Sequence, residues 1–177
     1  PLSSHINIMM NQLGFLMRGE IIWDKSASAG SSCAWGSFQS ASNPCLRDVH
    51  EYLLVFSKGN YKLLRDKKER AEGRIDTIPR DDFIHHTKSI WSFPTERASR
   101  VNHPAPFPVE LPKRCIEMYS FAGDVVLDPF NGSGSTCVAA KMTGRTYIGV
   151  ELSSEYCSIA QQRIDETEAW TAPVVEV

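Results

Sequence analysis

The sequence predicts an α/β fold, and three observations predict it. Residues 124–166 alternate strand, helix, strand and helix at the spacing of crossover units in a parallel sheet. A glycine-rich turn, residues 131–135, separates the first of those strands from its helix. Two more apolar strand runs, at 19–25 and 51–58, stand near the start of the chain. The length of 177 residues suits one domain with a core of its own. Hydrophobic residues make up 42% and charged residues 23%, an ordinary globular balance.

Along the chain, residues 3–13 carry Ile6, Met9, Met10 and Leu13 at helical spacing, with Ser3 or Ser4 as cap and Gly14 as the stop. GEIIWDK at 19–25 is a strand. Residues 26–44, rich in Ser, Ala and Gly and holding Asn43-Pro44, form a long loop. The continuous apolar run EYLLVFSK at 51–58 is a buried strand. From 59 to 100 the periodicity is lost, and this stretch is expected to be an insertion with little core. VELPKRCIEMYS at 109–120 is helical, with Leu111, Cys115 and Met118 on one face and Pro112 tolerated in the first turn. DVVLD at 124–128 is a strand, and TCVAAKMTG at 136–144 is a helix closed by Gly144. TYIGVEL at 146–152 is the second strand of the unit, and residues 153–166 its second helix, capped by Ser153.

Several classes are disfavoured. The cysteines, Cys33, Cys45, Cys115, Cys137 and Cys157, are odd in number and none has C-x-x-C spacing. That argues against a zinc site or a disulfide framework and for a reducing cytoplasm. The histidines show no metal-ligand spacing, and His85-His86 reads as a polar surface pair. No apolar run is long enough to cross a bilayer and no secretory leader is visible, so no membrane partner is expected. The chain opens at Pro1, so its natural start is expected to lie upstream. A net charge of −2 neither announces nor excludes a nucleic-acid binder, because binding needs a local basic patch.

The C-terminal unit carries the chemistry. Gly132 and Gly134 let the backbone turn sharply and approach a ligand closely. The helix after them offers unsatisfied N–H groups to an anion. Glu151, at the tip of the next strand, places a carboxylate where ribose hydroxyls are bound. This pattern suits an adenosine-bearing cofactor. A nicotinamide oxidoreductase shares it, but would prefer a third glycine at position 137, which is Cys137. A bare G-x-G is equally a tight strand-to-helix turn.

The wider string is more specific. Asp128-Pro129-Phe130-Asn131-Gly132-Ser133-Gly134-Ser135-Thr136 closely resembles the D-P-F-x-G-S-G-S/T-T cofactor motif of the N4-cytosine/N6-adenine DNA methyltransferases. HPAPFPVELPKRCIEMYS at 103–120 is similar to that family's other cofactor segment, and GRTYIGVEL at 144–152 to its ribose-binding strand. RGEIIWDK and LRDVHEYLLVFSKG resemble its paired late strands. The resemblance covers most of residues 14–165 and implies a class I S-adenosylmethionine-dependent methyltransferase fold, Rossmann-like and truncated at the N-terminus. It implies methyl transfer from S-adenosylmethionine to an exocyclic base amine, in the setting of DNA methylation and restriction–modification. Carried onto this chain, Asp128 would face the methionine amino group and Phe130 would pack near the cofactor. Gly132, Ser133 and Gly134 would supply backbone contacts, Thr136 would start the helix, and Glu151 would hold the ribose. His103 and Phe107 would close the methionine side, an aromatic ring being a favourable neighbour for a sulfonium. Phe107 also reads as a core aromatic and His103 as a loop residue bonded to backbone.

In the family's order the catalytic tetrapeptide, D/N/S-P-P-Y/F/W, precedes the region where this chain begins. Neither D-P-P-Y nor S-P-P-Y occurs in the 177 residues. The fragment is therefore expected to be inactive alone, and the target base stays open between adenine and cytosine. A non-catalytic cofactor- or DNA-binding remnant and an RNA methyltransferase are the alternatives. The organisation expected is a late-strand part at 1–58, an insertion and candidate target-recognition region at 59–100, a cofactor-binding part at 101–166 and a tail at 167–177. The stretch 58–74 holds Lys58, Lys62, Arg65, Lys67, Lys68, Arg70 and Arg74 against three acidic residues. It is the candidate contact for double-stranded DNA, and its bland reading is a solvated loop. Trp91 reads as a residue that stacks on a base or packs against the domain. With the intervening strands absent, residues 124–152 and 19–58 are expected to form separate strand pairs with uncovered apolar faces, relieved by association of two copies.

Overall fold

The computed structural model describes residues 2–26, 36–62, 73–96 and 107–172. The chain divides into two compact units, Pro1–Arg65 with Thr87–Pro94, and Asp66–His86 with Thr95–Val177.

The first unit is built on a three-stranded sheet. Helix α1 (Leu2–Gln12) leads through Gly14, at φ 83°, into strand β1 (Phe15–Asp24). Strand β2 (His50–Lys58) pairs antiparallel with β1, with a bulge between Met17 and Gly19. Strand β3 (Ile90–Ser92) pairs with the other side of β1 in parallel register, Trp23 opposite Trp91. Ile21, Trp23 and Trp91 form the buried core. The Trp23 indole stacks on Phe93 at 5.3 Å and donates to the Phe93 carbonyl at 3.0 Å, so its one polar atom is satisfied. The helical face expected on α1 is not buried: Met9 and Leu13 are exposed, and no residue of α1 is fully covered. The helix stands off β2 across an open hollow of about 790 Å³ lined by Ile6, Met10, Leu54 and Phe56.

The second unit is helical around a parallel strand pair. Helix α2 (Arg80–His86) packs on α3 (Glu110–Tyr119). Strand β4 (Val125–Asp128), helix α4 (Ser135–Met142), strand β5 (Thr146–Gly149) and helix α5 (Ser154–Asp165) follow as the predicted βαβα unit. Ser153 caps α5 by accepting from the Tyr156 N–H at 3.4 Å. On one face of the β4–β5 pair, Val126 and Tyr147 pack against Ile116 of α3 and Ala139 and Ala140 of α4. On the other, Val125, Leu127, Ile148 and Val150 are about half exposed or more. Parallel strands are normally covered on both faces, so this apolar surface is unusual.

The stretch 59–100, expected to be an insertion with little core, contributes to both units: it supplies α2 to one and β3, with the buried Trp91, to the other. Three residues of strand leave too short a pattern for periodicity to register. One expectation is corrected: His85-His86 is not a surface pair. His86 is buried, and that burial, with Arg114 nearby, lowers its pKa.

Polar groups inside the second unit are handled unequally. Arg145 is 4% exposed, yet its guanidinium donates to the Ser120 hydroxyl at 3.1 Å, the Ser120 carbonyl at 2.6 Å, the Thr77 hydroxyl at 2.5 Å and the Thr143 carbonyl. It ties the end of α3 and the segment before α2 to the turn entering β5. Glu117 on α3 is 8% exposed, and its Oε2 has no hydrogen-bond partner. Burial raises its pKa, and Lys113 and Arg145 offset that only in part. A carboxyl whose folded pKa is raised destabilises the fold increasingly as pH climbs above its unfolded value, and not below it. Glu117→Gln is therefore expected to stabilise the protein at pH 7 by about 1 kcal/mol and to give no gain near pH 4, measured by thermal unfolding at both pH values.

Candidate cofactor site

Strand β4 ends at Asp128, and the chain folds back across both strand tips. The Phe130 N–H donates to Asp128 Oδ1 at 2.9 Å, a local turn that an Asp side chain favours. The Asn131 N–H reaches the Val150 carbonyl at 2.9 Å, and the Gly134 N–H closes back on the Asn131 carbonyl at 2.9 Å. Gly132 and Gly134 lie at φ 50° and 84°, in the left-handed region. Gly134 also has no room for a side chain, since a Cβ there would stand 2.8 Å from the Ala160 Cβ of α5. Gly149 is needed for a related reason: its missing Cβ leaves space for the buried Asn131 carboxamide.

Two charged side chains brace this turn from different elements. Glu151, just past β5, accepts the Gly132 N–H on Oε2 at 2.9 Å, and the Leu152 and Ser153 N–H groups on Oε1 at 2.9 and 3.0 Å. Arg163 of α5 donates to the Ser133 carbonyl at 2.5 Å, the Ser133 hydroxyl at 3.0 Å and the Ser135 hydroxyl at 3.4 Å. Among the described residues, the N–H groups of Ser133, Ser135 and Thr136 carry no hydrogen bond. These donors lie at the positive end of α4, which suits an anionic or polar ligand. Neither Cys137, buried in the core, nor the half-buried Cys115 is set up as a nucleophile. Burial, aided at Cys137 by Asp128, pushes Cys137 and Cys115 up to about 11.

The structure gathers Asp128, Gly132, Ser133, Gly134, Thr136 and Glu151 around one turn. Phe107 joins them, its carbonyl accepting from the Ser135 hydroxyl at 3.2 Å. Phe130 is 87% exposed, so its ring lies open rather than packed on the protein. Helix α4 begins at Ser135, one residue before Thr136. His103 lies outside the described residues, as do Arg65, Lys67, Lys68 and Arg70. Lys58 and Lys62 are exposed at the end of β2 and beyond it. Arg74 is in the second unit, paired with Asp124 at 2.6 Å and lying over the Phe121 ring. Trp91 is 1% exposed and has no ring face open to a base, so the expectation that it stacks on DNA gives way to a core role. Arg163 and Asn131 escaped sequence reasoning. The only signal for Arg163 was its place between the buried Ala160 and Ile164 on α5.

Over residues 2–162 the sequence matches the DNA methylase family of N6/N4 methyltransferases. The chain belongs to that family. The type II methyltransferase M.MthZI of Methanothermobacter thermautotrophicus is 33% identical over 160 residues, covering 87% of this chain and 45% of the relative. The DNA adenine methyltransferase YhdJ of Escherichia coli is 30% identical over 166 residues, covering 89% of this chain and 55% of YhdJ. A crystal structure of a DNA modification methylase from Thermus thermophilus, complexed with S-adenosyl-L-methionine, superimposes with a TM-score of 0.68 at 32% identity. It covers 93% of this chain and 59% of that one. This family member thus spans about half the length of the curated relatives it matches. The fold is the class I methyltransferase fold in part: the parallel pair with its glycine turn, and the mixed sheet of the first unit.

The turn makes a direct prediction. Gly134→Ala forces a left-handed backbone on a residue with a Cβ and drives that atom into Ala160. A loss of roughly 2–4 kcal/mol in stability is expected, read as a lower midpoint in urea unfolding.

Proposed function

We propose that this chain is the cofactor-holding part of a DNA methyltransferase that modifies an exocyclic base amine, N6 of adenine or N4 of cytosine, with S-adenosylmethionine as donor. The observation that carries the reading is the braced turn: unpartnered N–H groups at the start of α4 beside a turn that a strand-tip carboxylate holds. The donor set fits the cofactor. The N–H groups of Ser135 and Thr136 suit its carboxylate end, and Asp128, with one oxygen not used by Phe130, suits its amino group. The Glu151 carboxylate suits the ribose hydroxyls while it also holds Gly132. S-adenosylmethionine supplies an electrophilic methyl group on a sulfonium. The protein's own task here is to bind and orient. The 177 residues hold no P-P-Y tetrapeptide, and the proposal assigns them no hydrogen bond to the target amine.

Titration calorimetry tests the cofactor. S-adenosylhomocysteine is expected to bind and NAD not to, and Glu151→Ala should weaken binding by about 1–3 kcal/mol. Equal affinity for NAD would sink the reading.

Double-stranded DNA is the proposed macromolecular partner, met by the basic stretch that opens with Lys58 and Lys62. Both are exposed and neither shows an ion pair among the described residues. Arg74 is left out of this interface, because Asp124 and Phe121 already hold it. Phosphate contacts release counterions, so each lost contact flattens the salt dependence. Lys58→Glu combined with Lys62→Glu should weaken duplex binding and reduce the slope of log affinity against log salt by about 2. Unchanged affinity and slope in a mobility-shift series would mark the stretch as a solvated loop.

A further inference from the structure

Arg163 lies on α5, thirty residues from the turn it touches. Its Nη1 reaches the Ser133 carbonyl and hydroxyl and the Ser135 hydroxyl, and its Nη2 also reaches the Ser135 hydroxyl at 3.4 Å. Burial works against the charged form of the guanidinium, with the Glu96 carboxylate opposing it. A guanidinium nonetheless stays protonated in proteins. Desolvating that charge is costly, and surface solubility does not explain it.

What it does to the turn is specific. The Ser133–Gly134 peptide is pinned at both ends, its carbonyl by Arg163 and its N–H by the Asn131 carbonyl. A peptide plane held at both ends cannot flip, and this one leads directly into the first turn of α4, which carries the Ser135 and Thr136 N–H groups. One residue earlier, Glu151 pins the Gly132 N–H. A cation from α5 and an anion from the tip of β5 thus clamp two peptides of one turn, Asn131–Gly132 and Ser133–Gly134, in a run that glycines at 132 and 134 make intrinsically mobile. Glu151 holds the turn from the tip of β5, and Arg163 reaches it from α5, through the two serines.

We propose that Arg163 is a positioning residue for the cofactor, which it does not itself touch: it locks the glycine turn in the conformation that directs the Ser135 and Thr136 N–H groups at the ligand. This rests on the cofactor reading above. It predicts that binding, and not only folding, depends on Arg163 and on its acceptor Ser135.

The test is calorimetric titration of S-adenosylhomocysteine into the 177-residue chain and into Arg163→Met, Arg163→Lys and Ser135→Ala, with the unfolding temperature of each measured without ligand. Arg163→Met is expected to lose about 10-fold or more in affinity, as for a charged hydrogen-bond donor removed. Arg163→Lys keeps the charge and one donor for the Ser133 carbonyl, and should recover part of that loss. Ser135→Ala should bind about 3-fold more weakly, a neutral hydrogen bond's worth, at an unchanged unfolding temperature. Wild-type affinity in all three variants, whatever their unfolding temperatures, overturns the proposal and leaves the cofactor reading intact. If Arg163→Met does not fold, Arg163→Lys and Ser135→Ala decide by the same criterion. A wild-type chain that binds no S-adenosylhomocysteine overturns both.

Discussion

The clamp on the turn between β4 and α4 is the constraint on which the site depends. A run with glycines at 132 and 134 has many backbone states open to it, and the unfolded chain samples them freely. In the folded protein the Gly132 N–H and the Ser133 carbonyl are held by side chains of opposite charge arriving from two later elements. The Asn131 N–H is held by the backbone of β5. The turn is therefore held in this form by the pairing of β5 with β4 and the packing of α5. It leads directly into the start of α4, which carries the unpartnered donors.

The same unit shows how differently two buried charges are accommodated. Arg145 meets a hydroxyl and carbonyl of Ser120, the Thr77 hydroxyl and the Thr143 carbonyl, so its desolvation is offset by hydrogen bonds from three segments. Glu117 sits near it without a partner for Oε2 and shifts toward its neutral form. Both lie on the α3 side of the strand pair, away from the turn. That side is the packed one, with alanines at 139 and 140 letting α4 come close to Val126 and Tyr147.

The opposite side of the pair is open. Leu127 and Ile148 are direct neighbours across the parallel register, and both are more than half exposed. An apolar parallel pair with one bare face is not self-sufficient in water. The matched part is about half the length of relatives such as M.MthZI and YhdJ. Within the described residues, the apolar face of the β4–β5 pair stays uncovered.

Much of this was legible in the sequence because it is local. Gly14 and Gly144 stop helices at positive φ, Ser153 caps α5, and alternating strand and helix at 124–166 gives the βαβα unit. Both separate strand pairs, β1 with β2 and β4 with β5, also follow from patterns of a few residues. The string from Asp128 to Thr136 and the acid at Glu151 marked the glycine turn and its carboxylate brace for the same reason. What the sequence could not decide depends on contacts far apart along the chain. Three residues around Trp91 become a strand only because β1, some seventy residues earlier, offers a parallel edge and a place for the indole. His86 and Glu117 look like surface residues until α2 and α3 pack and take water from them. Arg163 looks like one more charge on a helix until α5 docks against the turn, thirty residues back. Helix caps and turns are set by neighbouring backbone angles and are written in a few adjacent residues. Burial, parallel pairing and the bracing of the turn are set by chain closure, which leaves no local mark.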